Sequence, residues 1–174
     1  MIDKKKVPLI ELINVYKDFE VGEGKERVLD NINLKIYDGE FVIIFGQSGS
    51  GKATLLNTIM GLEPPTKGIV KYRGKNIYDL NDKEQANYRR EHLGIVFQQS
   101  NFIKALNVGE NVAYPLMLSG YSRKQAFNKA VDKLKQFDLH QFAKYTPTEL
   151  SGGEQQRITI ARALIGDPDL VVAD

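Results

Sequence analysis

The chain of 174 residues carries 24 Lys and Arg against 22 Asp and Glu, a formal charge of +2, with 42% apolar residues and no cysteine. That length suits one globular domain, and the lack of cysteine excludes disulfides, zinc–thiolate sites and thiol catalysis. The balanced charge gives no bulk field for nucleic acid, and apolar runs reach only about five residues where a membrane-spanning helix needs ~20, so neither a nucleic-acid partner nor a direct membrane span is expected.

In chain order, β-favouring runs come first: Leu9 to Val15, Val28 to Ile36, Phe41 to Phe45 and Ile69 to Tyr72, separated by turn signals such as Val21-Gly-Glu-Gly24 and Tyr37-Asp-Gly39. Helical signals take over from Asn81, which can cap a polar segment reaching Arg90. Asn107 can cap Val108 to Leu118. Ser122 with Gln125 makes a capping-box pattern before Ala126, Ala130, Val131, Leu134 and Phe137 at helical spacing. A last helix runs from about Gly152 to Ile165, and Gly166 and Pro168 separate it from a terminal strand, Leu170-Val-Val-Ala173. Strand and helix alternate at both ends of a helical insert, roughly 99–148. The expected fold is therefore α/β with a parallel sheet, which binds ligands at the carboxyl ends of its strands.

The run Phe41-Val-Ile-Ile-Phe45 is expected to be a strand leading directly into Gly46-Gln47-Ser48-Gly49-Ser50-Gly51-Lys52-Ala53-Thr54 and a helix from Leu55 to Leu62. This is the strand, glycine-rich loop, helix context of a phosphate-binding loop. Glycines let consecutive N–H groups turn inward, the helix N-terminus adds its positive end, and Lys52 supplies a mobile charge to the terminal phosphates. The motif normally continues with Ser or Thr, whose hydroxyl ligates Mg²⁺, but here that position is Ala53. Thr54 lies about 100° further around the helix and is no direct substitute. Nucleotide binding is expected to survive and Mg²⁺ placement to be impaired.

Leu150-Ser151-Gly152-Gly153-Glu154-Gln-Gln156 opens the last helix. Ser151 and Glu154 have capping-box spacing, worth about 1 kcal/mol to the helix. A cap needs no double glycine, however, and Ser151-Gly152-Gly153 also forms an unobstructed cluster of donors suited to an anion.

With both motifs in place, the whole chain resembles the nucleotide-binding domain of ATP-binding-cassette (ABC) proteins, whose second motif is the LSGGQ-type signature. The resemblance implies a P-loop NTPase fold: a RecA-like parallel-sheet core, an N-terminal antiparallel β subdomain and a helical insert. It divides the chain into 1–98 (β subdomain and phosphate-loop core), 99–148 (helical subdomain) and 149–174 (signature helix and Walker B strand). It further implies that Gly46 to Thr54 bind ATP in cis. Ser151, Gly152 and Gly153, with Glu154 beside them, would meet the γ-phosphate in trans across a head-to-tail homodimer. Gln98, in Gly94-Ile-Val-Phe-Gln-Gln99, resembles the Q-loop glutamine that approaches the metal and the attacking water. Phe19 falls where the family stacks an aromatic on adenine, with Tyr16 as a competing candidate. Asp174 resembles the Walker B carboxylate that holds Mg²⁺.

In this family a Glu follows that Asp, and a D-loop and a switch histidine come later. The chain has no residue 175, and His92 and His140 read as surface residues. The sequence is therefore expected to be an incomplete cassette that binds ATP weakly and hydrolyses it poorly, since a positioned general base contributes ~10²–10⁴ in rate. Gly94 to Gln99, Asn111-Val-Ala-Tyr-Pro-Leu116 and Glu149 to Pro168 resemble the lipoprotein-release, macrolide-efflux and antimicrobial-peptide export group most closely. Those cassettes imply an ATPase subunit that works with a separate integral-membrane permease, cytoplasmic and peripheral on the inner face of the membrane. The alternative is a hydrolysis-deficient nucleotide-binding or assembly module. A soluble ABC protein of DNA repair or translation would carry two cassettes, long coiled coils or zinc cysteines, and a GTPase would carry an Asn-Lys-x-Asp; neither pattern occurs.

Overall fold

The computed structural model describes residues 7–22 and 24–173. They fall into two compact units that divide between Ala86 and Asn87.

The first unit is built on a four-stranded sheet of order β2-β1-β3-β4, where β1 is Ile10–Val21, β2 Gly24–Ile36, β3 Lys67–Tyr72 and β4 Lys75–Asn76, with antiparallel pairing throughout. Both long strands run further than the hydrophobic alternation suggests. The β1–β2 register shifts between Leu12 and Asp18, and Asn14 and Asn31 sit at positive φ (47° and 51°). Such bulges add unpaired residues that switch which face a side chain takes, so the period-2 pattern breaks while the ladder continues. Leu9, Ile10, Leu12, Val15, Val70 and Ile77 are buried and make the core. Helix α1, Lys52–Ile59, follows the glycine-rich loop.

The run Phe41 to Phe45 is not a strand. These residues have no regular structure, and Phe41, Ile43 and Phe45 are 89%, 58% and 86% exposed. A continuous apolar run of this kind belongs in a parallel sheet with neighbours on both edges and cover on both faces. No strand among the described residues pairs with it, so β-favouring composition has no ladder to act through.

Helix α2, Asp82–His92, spans the division between the units and leads into β5, Leu93–Val96, in the second. Strand β5 pairs in parallel with β6, Leu170–Ala173, in the register Leu93↔Leu170 to Val96↔Ala173. Helices α3 (Val108–Leu118), α4 (Arg123–Lys135) and α5 (Gly152–Ala163) pack around Val108, Val112, Leu116, Ala126, Ala130, Leu134, Leu139 and Ile158. Asn107 and Ser122 cap α3 and α4 in reciprocal capping boxes, and Asn81 and Glu84 exchange the same pair of bonds at 2.9 and 3.0 Å. Gly94 allows α5 to lie close to β5: a Cβ there would collide with the Ala163 carbonyl and lie 2.9 Å from Pro168 Cγ.

Candidate functional site

The glycine-rich loop, 46–51, is exposed apart from Gly51. Gly51 has φ +85° and is the residue before α1; a Cβ there would lie 2.8 Å from the Val28 carbonyl oxygen and 3.0 Å from Val28 Cγ1. Only glycine meets both demands, a left-handed backbone and contact with strand β2. Ser50 donates its N–H to the Gln47 carbonyl at 3.2 Å, and Gly49 takes φ +79° in the intervening turn with Ser48. Unlike α3, α4 and α5, helix α1 has no side-chain cap, and its first turn carries no acidic residue. Its free N–H groups and positive end thus meet no competing anion of its own, the condition for binding a phosphate.

Lys52 Nζ donates to the carbonyl oxygens of Gly46 at 2.8 Å and Gln47 at 2.7 Å, which spreads its ammonium across the loop mouth. Ala53, next along α1, is exposed and offers only a methyl. Thr54 is partly buried and its carbonyl accepts a bond from Thr58 Oγ1 at 2.8 Å. Among the described residues no cluster of His, Asp and Glu could hold a metal ion, and Asp174 lies outside them. Position 53 therefore offers no hydroxyl ligand to a bound Mg²⁺.

In the same unit, Phe19 lies partly exposed on β1 with the Lys17 ammonium 4.9 Å from its ring centroid. Lys17 is itself buried, and donates to the Pro64 carbonyl at 2.8 Å while pairing with Glu63. Tyr16 carries the Arg27 guanidinium 5.2 Å from its ring centroid. Each aromatic thus has a cation against its ring, and the structure does not separate the two candidates by exposure.

In the second unit, Gln98 is exposed at a bend two residues beyond β5. Ser151 caps α5: its N–H donates to Glu154 Oε2 at 2.8 Å, and its hydroxyl donates to the same oxygen at 2.7 Å. These Ser151 bonds hold the Glu154 carboxyl below the usual range, with the Arg157 charge adding to the effect. The carboxylate thus sits where an incoming anion would compete for the same two donors. Gly152 and Gly153 are exposed, and a Cβ built on either would meet nothing within 4 Å. Packing inside the chain gives no reason for glycine here, whereas Gly51 and Gly94 are required by packing. The absent side chains leave room for something from outside the chain.

The sequence profile of the ABC transporter family matches residues 29–174. The chain belongs to the ABC transporter family. An uncharacterized ABC transporter ATP-binding protein of Methanocaldococcus jannaschii, MJ1508, is 44% identical over 166 residues, which is 95% of this chain and 74% of that protein. The macrolide export ATP-binding/permease protein MacB of Hyphomonas neptunium is 40% identical over 167 residues, 96% of this chain but 26% of that larger protein. The dimeric structure of the M. jannaschii cassette MJ0796 superposes with a TM-score of 0.87 at 44% identity, covering 95% of this chain and 73% of that one. A post-hydrolysis state of the same cassette, bound to ADP and Pi, also gives a TM-score of 0.87, at 43% identity and the same coverage. The chain is thus an ATP-binding domain of this family with the P-loop NTPase fold.

In this cassette, His92 lies at the surface, its side chain 37% exposed, with Nδ1 2.7 Å from Asp169 Oδ2. Two further side chains brace the segment that follows Gln98, in roles the sequence does not show. Asn111 is 1% exposed, and its Nδ2 donates to the carbonyls of Ile103, Leu106 and Asn107 at 3.0–3.2 Å. Arg162 donates from its two terminal nitrogens to the carbonyls of Ser100 and Asn101. Every acceptor of these two side chains is a backbone oxygen, which leaves no residue-type signal in the sequence. The one visible hint was a polar residue placed on the apolar side of a helix.

Proposed function

We propose that this cassette binds ATP at Gly46 to Thr54 and presents Ser151, Gly152 and Gly153 to the γ-phosphate held by a second copy in a head-to-tail dimer. It would work as the ATPase subunit of a transporter, on the cytoplasmic face of a membrane, beside a separate permease received by the helical segment 99–148. The observation that carries this reading is the uncapped N-terminus of α1 with Lys52 lying across the Gly46 and Gln47 carbonyls. An incoming phosphate offers the ammonium a full negative charge in place of two carbonyl dipoles, so an ion pair replaces ion–dipole bonds. On the signature side, the Ser151 hydroxyl transfers from Glu154 to the phosphate, and Gly152 and Gly153 supply N–H groups without a Cβ in the way. Phe19, already faced by Lys17, is the adenine platform. The exposed amide of Gln98 orients the attacking water.

Mg²⁺ would accompany the nucleotide and neutralise phosphate charge. Because position 53 lacks a hydroxyl, the metal would be held through fewer protein ligands than the motif normally provides. A second reading rests on the same residue: a module that binds nucleotide and assembles with its partner while hydrolysing poorly. The comparison of ATP affinity and turnover, with and without Mg²⁺, in the parent and in Ala53→Ser tests both. The serine variant should show a stronger metal dependence of affinity than the parent, and turnover at least equal to it. Equal metal dependence in the two chains would refute the role of position 53, and parent turnover no lower than that of the MJ0796 cassette measured beside it would refute the deficiency reading.

A further inference from the structure

Gln98 lies in a three-residue span, 97–99, whose residues are all exposed and which is anchored on both sides. Upstream, Val96 ends β5 opposite Ala173 of β6. Downstream, Arg162 of α5 donates Nη2–H to the Ser100 carbonyl at 2.6 Å and Nη1–H to the Asn101 carbonyl at 3.1 Å, with its guanidinium 5.2 Å from the Phe102 ring centroid. Asn101 takes a positive φ of 44°, a conformation asparagine tolerates better than most residues. Just beyond, Asn111 Oδ1 accepts the Ile103 N–H at 2.8 Å.

Among the described residues no carboxylate pairs with Arg162, and burial pushes its pKa below the usual arginine value. A partly buried cation costs some desolvation, which its carbonyl bonds must offset. If all that were needed was a filled space beside Phe102, an apolar side chain would do it without that cost. A planar fork of fixed donors reaches two successive carbonyls at once, which a lysine ammonium at the end of a flexible stem does not reproduce.

We propose that Arg162 is a positioning residue that clamps the segment following Gln98 to the helix beginning at Ser151-Gly-Gly, so that the two respond to nucleotide as one body. The clamp rests on the reading of Gln98 and Ser151 given above only for its functional meaning; the tether is testable without nucleotide.

Because the chain has no cysteine, Gln99→Cys and, separately, Gln156→Cys each give a single site for a nitroxide spin label. Both positions are exposed, one in the span and one on α5. In the full chain without nucleotide, Arg162→Met should at least halve the rotational correlation time of the label at 99 and leave the label at 156 unchanged, and Arg162→Lys should restore part of the restriction. An unchanged spectrum at 99 in Arg162→Met overturns the proposal. Equal loosening at 99 and 156 in both Arg162 variants also overturns it, because that is the mark of a residue serving only the stability of α5. If Arg162→Met fails to fold, Arg162→Lys decides by the same comparison: loosening confined to 99 supports the clamp, and equal or absent loosening overturns it. Adding ATP with Mg²⁺ to the labelled parent then addresses the other reading. No response at 99 there would count against the role of Gln98, while the nucleotide-free comparison would still decide the clamp.

Discussion

Gly153→Ala should leave the fold intact and damage only what the fold presents. Gly153 lies in the first turn of α5 with a negative φ, and a Cβ there meets nothing within 4 Å. Replacing glycine by alanine at a compatible position stabilises a protein by ~0.4–1 kcal/mol, chiefly by restricting the unfolded chain. At roughly 2–4 °C per kcal/mol for a chain of this size, the melting temperature should rise by about 1–4 °C. On the proposed reading the methyl would stand where the partner's phosphate approaches the helix N-terminus, and losing one charge-assisted bond costs about 1.5–3 kcal/mol, or roughly tenfold to a hundredfold in affinity. Differential scanning calorimetry and sedimentation velocity with ATP measure the two effects on the same samples. A fall of several degrees would show that the glycine serves the fold. ATP-driven association equal to that of the parent would show that no phosphate reaches it.

Gly51→Ala should behave in the opposite way. A left-handed backbone costs an L-residue ~1–2 kcal/mol and overpacking ~1–3 kcal/mol, so urea unfolding should report a loss of about 2–5 kcal/mol. A loss under ~0.5 kcal/mol would contradict the contact with the Val28 carbonyl. Acid should weaken the helical unit. The Arg123 bond, then the Asn107 N–H, lower the Glu110 carboxyl below its ordinary 4.5. A depressed folded value means that the stabilisation is complete above the unfolded pKa and disappears as pH falls through the folded one, so the urea midpoint should fall as pH drops below 4.5. Glu110→Gln should remove part of that slope; an identical slope in the variant would show that the pair contributes nothing.

The helix caps were legible because they are local: Asn107, Ser122 and Ser151 each bond within three residues of themselves, and the structure shows all three boxes. The glycine-rich loop was legible for a related reason, since its chemistry lies in consecutive residues. Phe41 to Phe45 read as a strand from composition, but a strand is a relation between segments, and this segment has no partner among the described residues. The length of β1 was hidden by its bulges. Arg162 was invisible because its partners are backbone oxygens 61 and 62 positions away. Gln98 acquired meaning only through resemblance, since nothing in its own residue type separates it from Gln99. The glycines show the limit most clearly: Gly51 is required by packing against β2, Gly153 is not required by packing at all, and only the space around each tells them apart.

The central claim is that Lys52 and the uncapped start of α1 form the nucleotide site. Titration of ATP into the full chain and into Lys52→Ala tests it directly. The only hydrogen bonds of the Lys52 side chain among the described residues go to two loop carbonyls, so the variant should stay folded. Its loss removes a charge-assisted contact worth about 1.5–3 kcal/mol, which predicts roughly tenfold to hundredfold weaker binding. Equal affinity in a folded variant would contradict the account.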